Sequence, residues 1–399
     1  MADHVDVVVV GQPVRRCAVA EVGVGEDAQF FQRFQRAVDG GEVDLWDGIG
    51  HLIGGGVHEL GHSGHNARAL RCHPQASFAQ PLGQRGIVDC VRVVHGLFIV
   101  GRSPAVRDKL PGVTKRAVAV LGRGVVESDA EVLSSDDLGL TRGDGCFEAT
   151  RVVTGADGSH RIDHLPEHLA RFQHSSHALG LPDVDVTAWQ ELVRTVLGAW
   201  DVPGEATLKL MITRGRESAP SGPITGIATV TPLAERSLRQ RRDGVSVITL
   251  ARGTSSDAYA AAPWLLGGVK TLSYAINVAA GRFAEAHGAD DVLFTTTDGY
   301  VLEAPTAAVV WLSDARLHTT PTGATGILDS ITQKALFAAA EASGFPTRYA
   351  LASRDELLTT DGVWLVSSGR GPARIHTLDG IQLPHTPGLS DRIRAFTGF

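Results

Sequence analysis

One lysine of this chain stands where lysines are seldom found. Lys270 lies in LLGGVKTLSYA (Leu265–Ala275), an apolar stretch flanked by glycine. An unpaired buried ammonium is costly. A lysine held there loses its proton readily, and the free amine can condense with a carbonyl as a Schiff base or act as a base. Glu303 is a second exception: in YVLEAPTAAVVWL (Tyr300–Leu312) it sits on a largely apolar strand, and a buried carboxylate needs a partner. In TTPTGATGILDSITQKAL (Thr319–Leu336), Gly, Ser and Thr gather where a helix begins, so that outward N–H groups make a ready anion site. Arg171, in EHLARF (Glu167–Phe172), carries a guanidinium fork suited to a phosphate dianion. Alone, Arg171 reads as a solvated helix arginine, and the Ser and Thr residues read as ordinary turn and capping chemistry.

A different chemistry is spelled near the start of the chain. His58-Glu59-Leu60-Gly61-His62 matches H-E-x-x-H, which on a helix would place two histidines on one face for zinc, with the Glu as general base. His65 would follow one turn later. Gly54, Gly55 and Gly56 precede the motif and Gly61 interrupts it, and each interior glycine costs a helix about 1 kcal/mol. No flanking apolar period offers a scaffold, and the position three residues after the second histidine is His65 rather than Gly. The match is read as chance and no metal site is assigned.

The elements that must position Lys270, Glu303 and Arg171 alternate cleanly after Val113. ATRVV, TGADGS and HRI form a hairpin with a Gly-containing turn. Leu165–Leu179 reads as a helix with Pro166 in its first turn and Gly180 after its end. Val186–Trp200 is a second amphipathic helix, and Thr207–Thr213 is a strand. Arg239–Gly244, RQRRDG, is polar and reads as a linker, after which GVSVITLAR resumes strand character. Thr271–His287 reads as a helix ended by Gly288. DVLFTTT and YVLEA pair across Asp298-Gly299, and TAAVVWL is another strand. Ser330–Ala342 is a helix with Gly344 and Pro346 just beyond it.

In order and spacing, these segments resemble the class IV aminotransferase family of fold-type IV pyridoxal-phosphate (PLP) enzymes, over nearly all of residues 113–399. LGLTRGDGCFEATRVV (Leu138–Val153) is similar to the family's opening G-D-G-x-F-E strand, EHLARF to its H-x-x-R-L helix, and GILDSITQ to its G-I-L-x-G-I-T-R phosphate cup. The resemblance implies PLP as cofactor and Lys270 as the lysine that binds it. It implies Glu303 on the pyridine nitrogen, Arg171 with Ile331 and Thr332 on the phosphate, and Leu328 against the ring. Ser367 or Ser368 of VWLVSSGRG adds a hydroxyl to the phosphate, with Ser368 the choice here. Tyr274 is a cofactor contact in a place where branched-chain enzymes carry Asn followed by Tyr. The sequence departs from the family pattern at Ser330 for Gly, Gln333 for Arg and Ala308 for Asn.

The expected fold class is α/β and α+β: a two-domain fold-type IV PLP enzyme, D-amino-acid aminotransferase-like, preceded by an unassigned N-terminal segment. Residues 113–238 form a small α+β domain, 239–247 a linker and 248–399 a large PLP-binding α/β domain, with the cofactor in the cleft between them. The implied activity is that of a 4-amino-4-deoxychorismate lyase releasing pyruvate and 4-aminobenzoate. The alternative is an aminotransferase acting on D-amino or branched-chain amino acids, and a metallohydrolase built on His58 and His62 stands third. The pocket favours the lyase. After Thr213-Arg214-Gly215 comes RESAPSG, without the Arg-x-His carboxylate clamp of narrow D-amino-acid transaminases, and Arg216 is the candidate ligand for a substrate carboxylate. The expected partners are a small-molecule amino substrate and a second copy of the chain in a homodimer.

Composition narrows the remaining classes. The formal net charge of -7 and the absence of a long basic run argue against nucleic acid. Cys17, Cys72, Cys90 and Cys146 show no paired spacing, so neither a disulfide framework nor a zinc ribbon is expected. No signal peptide is legible, and Ile87–Val100 is too short and too charged to cross a membrane, so a cytoplasmic location is expected. VDVVVVG (Val5–Gly11) resembles the first strand of a nucleotide-binding unit but lacks the glycines that follow such a strand. Residues 1–112 are rich in Gly, Val, Arg and His and poor in Lys, with few caps and no sustained period. They read as a spurious extension from a misplaced start codon or a poorly packed accessory segment, unable to offset its ordering entropy. A chain shortened to begin near Val113 is therefore expected to fold, take up PLP and turn over like the full chain. Loss of the cooperative thermal transition on that truncation would contradict this reading.

Overall fold

The computed structural model describes residues 115–399 in full. Before them it describes only the backbone of five short strands: β1 (His4–Val10), β2 (Cys17–Gly23), β3 (Val57–Glu59), β4 (Cys90–Val94) and β5 (Leu97–Gly101). β1, β2 and β3 form one antiparallel sheet and β4–β5 a hairpin. β1 thus pairs antiparallel with its neighbour, not through the parallel crossover of a nucleotide-binding unit. His58 and Glu59 of the H-E-x-x-H motif lie on β3, an extended segment rather than a helix. His62 and His65 lie outside the described residues. Residues Thr114–Phe399 form a compact unit of their own.

That unit contains two sheets, the helices that pack on them, and the short helices α1 (Leu138–Arg142) and α7 (Arg354–Leu357). The first is fully antiparallel. It runs in the order β7 (Gly124–Val126), β6 (Ala117–Val120), β11 (Thr225–Pro232), β10 (Gly204–Thr213), β8 (Gly145–Thr154), β9 (His160–Ile162). Alternate residues of β10, Leu208, Leu210 and Ile212, are buried against α2 (Leu165–Ala178) and α3 (Val186–Gly198), whose Leu169, Phe172, Trp189 and Val196 complete one core. The opposite face of β10 carries Thr207, Lys209 and Met211.

The second sheet is mixed. Its path is β13 (Asp291–Thr295), β12 (Val245–Ala251), β19 (Gly371–Leu378), β18 (Gly362–Ser367), β15 (Ala307–Ser313), β16 (Arg316–Thr319), β17 (Thr347–Tyr349), with β14 (Glu303–Ala304) on β15 and β20 (Ile381–Gln382) on β19. β15 and β18 are apolar on both faces because both are covered. Val309, Leu365 and Ile375 face one core, while Val310, Trp364 and Val366 meet Leu336 and Phe337 of α6 (Ile331–Ala342) and Ile393 of α8 (Leu389–Thr397). An all-antiparallel sheet and a mixed sheet, each covered by helices, give the fold class expected from sequence.

Two segments depart from it. The polar run Arg239–Gly244 is no open linker. Residues Glu235–Asp243 form α4, which packs on β19, and β12 begins at Val245. Its charge misled because Arg241 is bound on the protein: it donates to both Glu205 oxygens at 2.8 Å and to the carbonyls of Gly369 and Arg370. The helix expected over Thr271–His287 begins only at Ala275 (α5, Ala275–Ala286). Residues 270–272 give their backbone to β8 instead, which fixes the site described next.

Candidate active site

Lys270 reaches the first sheet through its own backbone. β9 covers only Val152–Thr154 of β8, leaving the rest of that edge open. Residues 270–272 take it: Phe147 N–H donates to the Lys270 carbonyl at 3.0 Å, Leu272 N–H to Gly145 O at 2.9 Å, and Cys146 and Thr271 form a bridge. Lys270 N–H donates to Ser175 Oγ on α2 at 3.2 Å. A glycine is needed at 145, because a Cβ there would fall 2.4–2.7 Å from the Ile212 carbonyl and the Leu272 side chain. The Lys270 ammonium is buried, with Nζ 4.5 Å from the centroid of the Phe147 ring. Burial lowers its pKa to about 8, the Arg171 charge adds to that effect, and Glu148 and Glu303 oppose it.

Glu303 enters from the second sheet on β14, after the turn at Asp298-Gly299. Its side chain is buried, and Oε2 accepts Leu328 N–H at 3.2 Å. Burial raises its pKa to about 7, against the pull of the Leu328 amide and of Arg252, Lys270 and Arg171. A carboxyl held there is poised for a cationic N–H, as the ring nitrogen of the implied cofactor would supply.

The anion site forms at the start of α6. Ser330 caps the helix, its Oγ accepting from Gln333 N–H at 3.3 Å. The amides of Ile331 and Thr332 point out of the first turn and find no acceptor among the described residues. Thr332 Oγ1 and Ser368 Oγ meet at 3.0 Å beside them. Arg171 approaches from α2, with Nη1 on the Asp329 carbonyl at 2.8 Å. Two free amides, two hydroxyls and a guanidinium fit a phosphate dianion, so the residues present fit PLP. Gln333, in place of an arginine, is buried with Nε2 unpartnered.

Arg171 is held by a residue to which the sequence reading gave no role. Glu148 of β8 takes Arg171 Nε at 2.8 Å and Nη2 at 2.6 Å, and His168 Nδ1 lies 3.2 Å from the same carboxylate. Burial alone would raise the Glu148 pKa, but His168 and Arg171 bring it down to about 2. Its signal was present in Gly143–Glu148, where a carboxylate two residues beyond a cysteine has no reason to face solvent from a core strand. Tyr259 was also missed. Its ring packs between Gly267 and Gly326, and a Cβ on Gly267 would fall 2.6 Å from it. Tyr274 packs its ring edge-on to Phe147, centroids 5.4 Å apart, and its hydroxyl donates to the Pro305 carbonyl two residues after Glu303. Arg216 stands elsewhere: it is half-exposed, Nε is bound to Asp136 at 2.9 Å, and its contacts are not with this cluster. Among the described residues no group of His, Cys, Asp and Glu is arranged to hold a metal.

Residues 145–378 match the family model for amino-transferase class IV. The chain belongs to the class IV aminotransferase family. It is 40% identical over 278 residues to a bifunctional aminodeoxychorismate lyase / D-amino acid transaminase of Mycobacterium tuberculosis, covering 68% of this chain and 94% of that protein. It is 26% identical to an aminodeoxychorismate lyase of Bacillus subtilis, over 63% of this chain and 83% of that one. Its fold is similar to that of a hypothetical aminotransferase from M. tuberculosis in a PLP-bound form: TM-score 0.67, 38% identity, 71% of this chain and 98% of the other. Family membership makes it a PLP-dependent enzyme, and the Lys270, Glu303 and Thr332 geometry is consistent with that.

The burial of Glu303 has a measurable sign. Its folded value, about 7, lies above the ordinary 4.5. Below pH 4.5 the folded and unfolded chains both keep the proton. Between there and 7 only the unfolded chain ionises, so stability falls as pH rises, and above 7 the full penalty stands. In the cofactor-free chain, Glu303→Gln is expected to stabilise by on the order of 3 kcal/mol at pH 8 and to leave stability unchanged at pH 4. Urea titrations at the two pH values check this, and an equal effect at both would contradict it.

Proposed function

We propose that this chain is a 4-amino-4-deoxychorismate lyase, cleaving its substrate to 4-aminobenzoate and pyruvate in the folate pathway. The observation that carries the reading is the 40% identity, over 94% of its length, to a protein named for that activity. The pocket supports it: Arg214 is bound to Asp144 and Arg216 to Asp136, so neither guanidinium beside the Thr213–Gly215 turn stands free as a clamp.

Bound PLP supplies an electron-withdrawing ring that stabilises negative charge on the amine-bearing carbon of the substrate. In this chain, the Ile331 and Thr332 amides, the Thr332 and Ser368 hydroxyls and Arg171 would hold its phosphate, Glu303 would keep its ring nitrogen protonated, and Leu328 and Tyr274 would pack on the ring. Lys270 Nζ, with a value near 8, is neutral in an appreciable fraction of molecules at neutral pH and takes the proton from the amine-bearing carbon. The neighbouring C–O bond then breaks as the substrate ring becomes aromatic. The Lys270 ammonium holds a proton next to the departing enol, which becomes pyruvate. The two products account for every atom of the substrate.

A second reading, D-amino-acid transamination, is favoured by the same relative, which is named for both reactions. The proton removed by Lys270 is common to both. We further place the enzyme in the cytoplasm and as a homodimer. Among the described helices none is long and apolar enough to cross a membrane. The exposed Ile276 and Phe283, seven residues apart on one face of α5 and 65% and 47% exposed, support a face that a second copy covers. Sedimentation is expected to give twice the chain mass, and a monomer with full activity would contradict the dimer.

With aminodeoxychorismate and no keto acid added, the loaded enzyme is expected to release 4-aminobenzoate and pyruvate in equal amounts. Turnover of D-amino acids with no 4-aminobenzoate would move the assignment to the transaminase. Lys270→Ala is expected to lower turnover by roughly 10³-fold or more. It should also abolish attachment of the cofactor on borohydride reduction, and label retained in that variant would show that another residue holds it.

A further inference from the structure

A second, half-buried cation shares the Phe147 ring with Lys270. Lys209 sits at the middle of β10, opposite Ala149 on one side and Thr229 on the other. Its neighbours Leu208 and Leu210 face the helix-covered core, so Lys209 faces the site. Its Nζ lies 4.7 Å from the Phe147 ring centroid, while Lys270 Nζ lies 4.5 Å from the same centroid. Among the described residues it has no hydrogen-bond or ion-pair partner, although an ammonium carries three donors. Burial lowers its pKa, and its charge is among those that depress Lys270.

A lysine on an exposed strand face ordinarily extends its ammonium into water. This one is turned onto an aromatic ring toward a second ammonium. The quadrupole of one ring offsets little of the partial desolvation of two cations, and their mutual repulsion adds to that cost. An anion between or beside them resolves both costs. The phosphate is already provided for by Arg171 on α2, Thr332 on α6 and Ser368 in the turn after β18, so that anion comes from the substrate.

We propose that Lys209 receives the carboxylate of the three-carbon unit that leaves as pyruvate, placing its C–O bond next to the proton held by Lys270. This rests on the lyase reading and gives that reading its selectivity: amines with a carboxylate close to the reacting carbon are taken in preference to amines without one. Arg216 is then not required for that carboxylate.

The test uses PLP-loaded enzyme and pyruvate as probe, followed by titration calorimetry in wild type, Lys209→Met and Lys209→Arg. Lys209→Met keeps the length and apolar stem, and its thermal transition and visible absorption band report that it is folded and loaded. Pyruvate affinity is expected to fall roughly 30-fold or more in Lys209→Met and to return largely in Lys209→Arg. In the cofactor-free variant, the pH midpoint for capture of PLP by Lys270 is expected to move upward, because a neighbouring positive charge is gone. Pyruvate binding equal in wild type and Lys209→Met, or absent in wild type, overturns the assignment. The lyase reading is judged separately, by 4-aminobenzoate from the wild-type enzyme. If that product forms while pyruvate affinity is unmoved in Lys209→Met, only the role of Lys209 falls.

Discussion

The amide of Phe147 donates to the carbonyl of Lys270, and through that bond a loop of the second sheet becomes an extra strand on the first. The pairing at β8 sets which way each side chain of 270–272 points. Sliding the pairing by one residue would turn Lys270 to the opposite face of the ribbon. The same bond places the Phe147 ring under two ammonium groups and brings Tyr274 against its edge. It also explains why α5 starts late, since residues whose amides belong to a sheet cannot begin a helix.

Around that seam the electrostatics are divided. Glu148 and Arg171 satisfy each other inside the protein, and the pair is fixed from α2 and β8 before any ligand arrives. Lys270, Glu303 and Lys209 are left without such partners, and each is displaced toward its neutral form by burial. A completed ion pair inside a protein holds geometry, whereas an isolated buried charge waits for its counterpart. The first kind positions the guanidinium, and the second kind does the chemistry or binds what undergoes it.

Much of this was legible in the sequence because the signals were exceptions to a local pattern. Lys270 in an apolar run, Glu303 on an apolar strand and the glycine-, serine- and threonine-rich entry to α6 each broke the character of their surroundings. All three lie at the cluster described above. What stayed hidden depended on pairing between distant segments. Glu148 and Arg171 are separated by a hairpin and a helix start, and nothing in either segment names the other. Arg239–Asp243 looked solvated until Glu205 and two carbonyls from the turn between β18 and β19 came within reach. Lys209 could have been suspected: it is the single charge in TLKLMIT, but from sequence alone the face with Thr207 and Met211 reads as open to water. Only the Phe147 ring and Lys270, brought in by the seam, make that face an interior.

The packing of Tyr259 between Gly267 and Gly326 joins two loops that are far apart in the chain, one leading to Lys270 and the other to the phosphate cup. Gly326 also has φ +73, a conformation that side chains rarely adopt. Neither glycine can gain a side chain while the ring remains, and the ring cannot shrink without opening a void beneath both loops. Tyr259 and Gly267 therefore form a unit of heredity, a change at one being tolerated only together with a change at the other, while Gly326 is held to glycine by its backbone as well. A library that varies them singly would find the pocket rigid, whereas paired variation at 259 and 267 is the route by which this wall of the pocket could be reshaped.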